Sequence, residues 1–125
     1  MTAAEPDPRS TLGPTPDDGD GPLRVGLVGA GPWATLVHAP TFAGDPRTSL
    51  AGVWARRPEA AGQLASAHGV PVFGSPDALF EACDVVAFAV PPDVQAELAV
   101  RAARAGRALF LEKPVAIDVA AAERL

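Results

Sequence analysis

Apolar residues in this chain fall into short runs, separated by longer stretches in which they recur at helical spacing. Leu23, Val25, Leu27 and Val28 mark the first run, Ser49–Trp54 the second, Val70–Phe73 a brief third, Asp84–Val90 the fourth and Ala108–Leu111 the fifth. Runs of this length, bounded by Gly, Pro and Asp, predict buried β-strands. The stretches between them, Trp33 to Ala43, Glu59–His68, Pro76–Glu81 and Asp93–Ala105, predict helices, and Asp118–Leu125 begins a further one. Gly69 and Gly106 stand where two of these helices should stop, and His68 in a last turn suits the helix dipole. Strands alternating with helices are βαβ units, which build a parallel sheet covered on both faces.

The first strand runs into Gly29-Ala30-Gly31, where the backbone can turn tightly with no Cβ in the way. Pro32 suits a first helical turn, because its φ is fixed and the N–H it lacks would be unpaired there. Trp33 and Ala34 continue the helix, whose free N–H groups and positive dipole end would face an anion. Gly29, Gly31 and Ala34 fit the dinucleotide fingerprint G-x-G-x-x-G/A, with a small third residue for close helix–strand packing. A glycine turn in some other α/β protein is the alternative, and the strand–helix alternation weighs against it. The expected architecture is α/β, a Rossmann-type doubly wound parallel sheet in strand order 3-2-1-4-5. Its ligand would lie across the strands' carboxyl ends where the order reverses.

The end of the second strand is where such a site reads the cofactor's ribose. An acid there accepts from a 2′-hydroxyl, whereas arginine accommodates a 2′-phosphate. This chain has Ala55 followed by Arg56 and Arg57. Two guanidiniums in place of an acid suit bidentate phosphate binding and point to NADP, with NAD as the alternative cofactor. Ordinary surface charge is the plainer account of the same two residues.

Composition narrows the classes. The chain has 125 residues, 48% of them hydrophobic and 20% charged, enough for one domain with a core. No apolar run approaches the length of a membrane span, and no secretory leader is visible, so the cytoplasm is the expected compartment. The net charge of −5 sits mostly in residues 1–22, which hold −4, leaving −1 for residues 23–125. A nearly neutral body offers no basic face for nucleic acid. The single cysteine, Cys83, excludes an intramolecular disulfide and any multi-cysteine metal site, and its setting predicts a small buried residue. Residues 1–22 contain five prolines, three glycines and five acids. They cannot bury enough surface to offset ordering entropy, and a disordered tail is expected there.

Gly29-Ala30-Gly31 after the first strand, Pro91-Pro92 after the fourth and Glu112-Lys113-Pro114 after the fifth together resemble the glucose-fructose oxidoreductase and inositol dehydrogenase (Gfo/Idh/MocA) family. The Glu-Lys-Pro triplet is the specific part, and Trp33 with His38-Ala39-Pro40 adds to the likeness, which spans residues 23–125. The resemblance implies a domain that binds NAD or NADP, followed in the family by a second α/β domain that holds a sugar or polyol and forms oligomers. It implies Gly29, Ala30, Gly31, Pro32, Trp33 and Ala34 around the diphosphate and Arg56 and Arg57 at the adenosine end. It also implies Val90 and Pro91 against the dinucleotide, Glu112 and Pro114 beside it, and Lys113 reaching substrate and nicotinamide as the catalytic residue. At the carboxyl end of a parallel strand an ammonium could hold a substrate oxygen or assist a proton transfer. A lysine that only orders the loop before Pro114 is the alternative.

Two departures accompany the likeness. Gln95 stands where the family usually has His, so any role of that imidazole is absent. The family's remaining strand, its Asp/His pair and the substrate domain would lie beyond Leu125, so the chain is expected to be truncated. It is expected to be inactive alone, with the missing part supplied by a second chain or with self-association through an open sheet edge. A non-enzymatic dinucleotide sensor or partner-binding module is the second functional class. An S-adenosylmethionine-dependent methyltransferase is disfavoured, because Ala55 stands where that site wants an acid.

Overall fold

The computed structural model describes residues 21–125. The expected tail therefore lies outside the described residues, except for Gly21 and Pro22. Four parallel strands form one sheet: β1 (Leu23–Val28), β2 (Thr48–Trp54), β3 (Val85–Phe88) and β4 (Ala108–Phe110), in the order β2-β1-β3-β4. β1 sits at the centre, so its side chains are covered on both faces. Val25 and Leu27 join Leu50, Val53, Ala61 and Leu64 on one side, while Val28 joins Leu79, Phe80, Val86, Phe88 and Leu98 on the other. Two cores sharing one sheet make the doubly wound arrangement expected from the alternation.

The helices are α1 (Ala39–Gly44), α2 (Pro58–His68), α3 (Pro76–Glu81), α4 (Pro92–Arg104) and α5 (Val119–Glu123). Their ends follow local chemistry. Gly69 closes α2 at φ +64°, where its N–H reaches the Ala65 and Ser66 carbonyls. Ser75 and Asp118 cap α3 and α5 by accepting from the N–H groups of Ala78 and Ala121 at 3.1 and 2.8 Å.

Two predicted elements are altered. Val70–Phe73 makes a single bridge from Val72 to Val53 beside β2, so the outermost strand of the expected order is reduced to one pairing. Pro71 has no N–H for a ladder, and only its carbonyl (to Val53 N–H, 3.0 Å) and the Phe73 N–H (to Val53 carbonyl, 2.9 Å) reach β2. The Phe73 ring lies so close to Gly52 that a Cβ there would overlap it. The helix predicted from Trp33 begins as expected but widens into a π-helical turn over Ala34–His38 before α1. Pro40 explains the widening: it cannot donate, its ring needs room behind it, and the Ala39 N–H reaches back to the Ala34 carbonyl instead.

Cys83 is fully buried among Leu79, Phe80 and Val86, and burial pushes its thiol up. No helix of the described residues is long and apolar enough to cross a membrane.

Candidate functional site

All four strands point their carboxyl ends to the same side, and the residues singled out by sequence, apart from Pro32, Ala34 and Pro114, line the grooves there. Gly29 follows β1 at φ +115°, and its N–H donates to the Trp54 carbonyl at 2.8 Å, pinning the turn against the end of β2. A Cβ on Gly29 would overlap the Ala89 carbonyl oxygen just past β3. Gly31 has open space where its Cβ would be, so the turn presents bare backbone outward. Ala34 is fully buried in the core beneath the turn, as a small packing residue should be, and Pro32 lies exposed in the first helical turn.

Two adjoining grooves run along this edge. The first, of about 340 Å³, is lined by Gly29, Ala30, Gly31, Arg56 and Arg57, with Ala55 and Ala60 behind. The second, of about 380 Å³, is lined by Trp33, Glu112 and Lys113. Ala89, Val90 and Pro91 form the wall common to both. The edge carries a bare glycine turn and two guanidiniums at one end, groups that can meet phosphate, and an indole with an ammonium at the other. Such a group, when bound, supplies the hydride chemistry, while the protein orients it.

Glu112, Lys113 and Pro114 follow β4, and the Lys113–Pro114 peptide is cis. Pro114 is exposed and lines neither groove. The Glu112 carboxylate is half-buried: its Oε1 accepts from the Trp33 indole N–H at 3.1 Å and faces His38 Nε2 at 3.0 Å. His38 is 4% exposed, and its Nε2 makes no other polar contact among the described residues. Its ring stacks on Phe42 and meets Phe110 edge-on, 5.7 Å away.

Three contributors carried no role in the sequence reading. Ala89 furnishes the carbonyl that Gly29 must clear. His38 lies buried with its Nε2 facing the Glu112 carboxylate. Gln95, fully buried on α4, bonds to the backbone of the Glu112 loop. Its signal is visible in the pattern: Gln95 occupies the same helix stripe as buried Leu98, Ala99 and Ala102, where an apolar side chain is ordinary. No group of three His, Cys, Asp or Glu side chains among the described residues could hold a metal ion.

With fold and site in view, residues 23–125 match the model of the GFO_IDH_MocA oxidoreductase family, NAD-binding Rossmann fold. The chain belongs to this family. It is 40% identical over 98 residues to inositol 2-dehydrogenase of Rhizobium meliloti, covering 77% of this chain and 29% of that protein. It is 39% identical over 107 residues to the dTDP-3,4-didehydro-2,6-dideoxy-alpha-D-glucose 3-reductase of Actinomadura kijaniata, covering 83% and 32%. Among solved structures, UDP-N-acetylglucosamine 3-dehydrogenase from Acidithiobacillus ferrooxidans superposes with a TM-score of 0.76 at 30% identity, covering 82% of this chain and 33% of that one. A 3-ketoreductase from Actinomadura kijaniata in complex with NADP and TDP-benzene gives 0.76 at 31%, covering 82% and 32%. The chain spans about a third of the length of these relatives.

Proposed function

We propose that this chain is the cofactor-binding part of an oxidoreductase that takes NADP(H) in preference to NAD(H) and exchanges hydride with a sugar or polyol-like substrate. The carrying observation is that Arg56 and Arg57 line the same groove as the bare Gly29-Ala30-Gly31 turn, with Ala55 where an acid would select a free 2′-hydroxyl. The family supplies the cofactor class, and the named relatives handle inositol or nucleotide-linked sugars.

In this reading the diphosphate lies over Gly29, Ala30 and Gly31, with Pro32, Trp33 and Ala34 carrying the helix start beneath it. Arg56 and Arg57 hold the 2′-phosphate, Val90 and Pro91 wall the dinucleotide, and Glu112 and Pro114 shape the loop that presents Lys113 to nicotinamide and substrate. The substrate pocket comes from residues outside this chain, as part of a longer protein or a second chain, in the cytoplasm where NADP(H) is available. Among the described residues β4 has a neighbour on one side only and Phe110 is 46% exposed, which supports contact with another chain along that edge.

Titrating NADPH and NADH against the purified chain tests the reading. Tighter binding of NADPH, with no steady turnover of polyols, is the expected result, because one ammonium supplies neither a substrate pocket nor a full acid/base pair. Equal affinities would overturn the NADP preference, and absence of binding would overturn the dinucleotide reading.

A further inference from the structure

Trp33 and His38 meet the Glu112 carboxylate, but the backbone of the Glu112 loop is held by the side chain of Gln95. β4 ends at Phe110, so residue 112 lies past the ladder that orders the strand. From α4, the Gln95 Oε1 accepts the Glu112 N–H at 2.9 Å. Its Nε2 donates to the carbonyls of Glu112 at 2.8 Å and Val115 at 3.1 Å, with Pro114 at 3.5 Å. Gln95 stands in the first turn of α4, where its backbone N–H makes the helix's i→i−4 bond to the N-cap carbonyl of Pro91 at 2.9 Å. The Gln95 amide therefore holds the 112–115 segment against the start of α4, which follows directly on the Pro91 wall of the groove, and Lys113 is carried on the clamped segment. Gln95 is completely buried.

We propose that Gln95 is the positioning residue for Lys113: its amide fixes the Glu112–Val115 backbone against the first turn of α4 and so keeps the Lys113 ammonium in the groove. The amide is suited to this because it offers an acceptor and two donors side by side. An imidazole offers one neutral donor and one acceptor at opposite sides of a ring, and an apolar side chain would strand buried backbone groups without partners. The inference rests on the dinucleotide reading for its consequence, which is that the clamp serves the nicotinamide end of the cofactor and not the adenosine end.

Gln95→Met keeps the volume and removes every polar atom, and Gln95→Glu keeps an acceptor for the Glu112 N–H while removing the donors. Each variant is titrated with NADPH and with adenosine 2′,5′-bisphosphate, which lacks the nicotinamide half. Loss of about tenfold in NADPH affinity with the bisphosphate unchanged within about twofold is expected, since only one end of the ligand meets the displaced loop. In a Lys113→Ala background the Gln95 substitutions should add little further loss, because residues acting through one another are not additive. Equal weakening of both ligands, or the same loss with and without Lys113, would show a merely structural residue and overturn the proposal. Amide exchange gives a ligand-free readout. Gln95→Met should speed exchange at Glu112 by about tenfold while β3 is unaffected, and unchanged exchange there overturns the clamp. If the wild type binds neither ligand, the dinucleotide reading fails, and exchange at Glu112 decides the clamp by itself.

Discussion

Gly29 turns at a point where a Cβ would fall on the carbonyl oxygen of Ala89, so the first and third strands approach each other there through backbone alone. Gly29→Ala meets both that overlap and φ +115°. Strain of this kind costs about 1–3 kcal/mol, and the melting temperature should fall on the order of 10 °C. Gly31→Ala is the contrast: its Cβ enters open space and leaves the fold intact, yet it stands where the diphosphate would approach. Thermal melts should separate the two variants, and titration should show Gly31→Ala losing about tenfold in NADPH affinity at unchanged stability.

Arg56 and Arg57 are exposed and no ion pair occupies either among the described residues, so both guanidiniums are available to a phosphate. A charge-assisted contact of this kind contributes about 1.5–3 kcal/mol, roughly tenfold or more in affinity. Arg56→Ala and Arg57→Ala should therefore weaken NADPH by about that factor and leave NADH nearly unchanged. Fluorescence titration of both cofactors reads the result, and parallel losses for the two would contradict a role at the 2′-phosphate.

Asp84 joins the start of β3 to β1, accepting from the Arg24 backbone N–H at 2.9 Å and from its guanidinium at 3.0 and 3.3 Å. The Arg24 side-chain and backbone hydrogen bonds hold the Asp84 carboxyl below its ordinary value. Because the folded value is depressed, the stabilisation is complete above the unfolded value of about 3.9 and fades as pH falls through the folded one. Asp84→Asn should lower the melting temperature by about 4–8 °C at neutral pH and flatten its decline between about pH 5 and pH 2. Calorimetry across that range measures both effects.

Among the described residues β4 is bordered by β3 alone, and Ile117 and Val119 beyond it are 67% and 73% exposed. An uncovered edge beside apolar side chains is a template for another chain. Light scattering should show concentration-dependent association that Ala108→Lys, a charge on the exposed edge, suppresses. NADP at about a hundredfold over its Kd should add about 2.7 kcal/mol and raise the melting temperature on the order of 10 °C. A chain that stays monomeric at high concentration and melts unchanged with NADP would contradict both expectations.

Strand and helix alternation, the glycine turn after β1, the helix stops at Gly69 and Gly106, and the arginine pair after β2 were all determined by the sequence itself. Each is a local matter: the period of apolar residues, a missing Cβ, or a side chain that satisfies backbone within one turn. What only the tertiary structure decided lies between segments distant in the chain. Val70–Phe73 has strand composition, yet Pro71 and the crowding of Phe73 over Gly52 limit it to one bridge. The helix after the glycine turn has helical spacing, yet Pro40 imposes a π turn that buries His38 against Glu112, 74 residues further on. Gln95 read as the absence of a histidine, and it became the tie between the first turn of α4 and the Glu112 loop once α4 packed beside β4. A hydrogen bond depends on where both partners end up, and periodicity along the chain records only one of them.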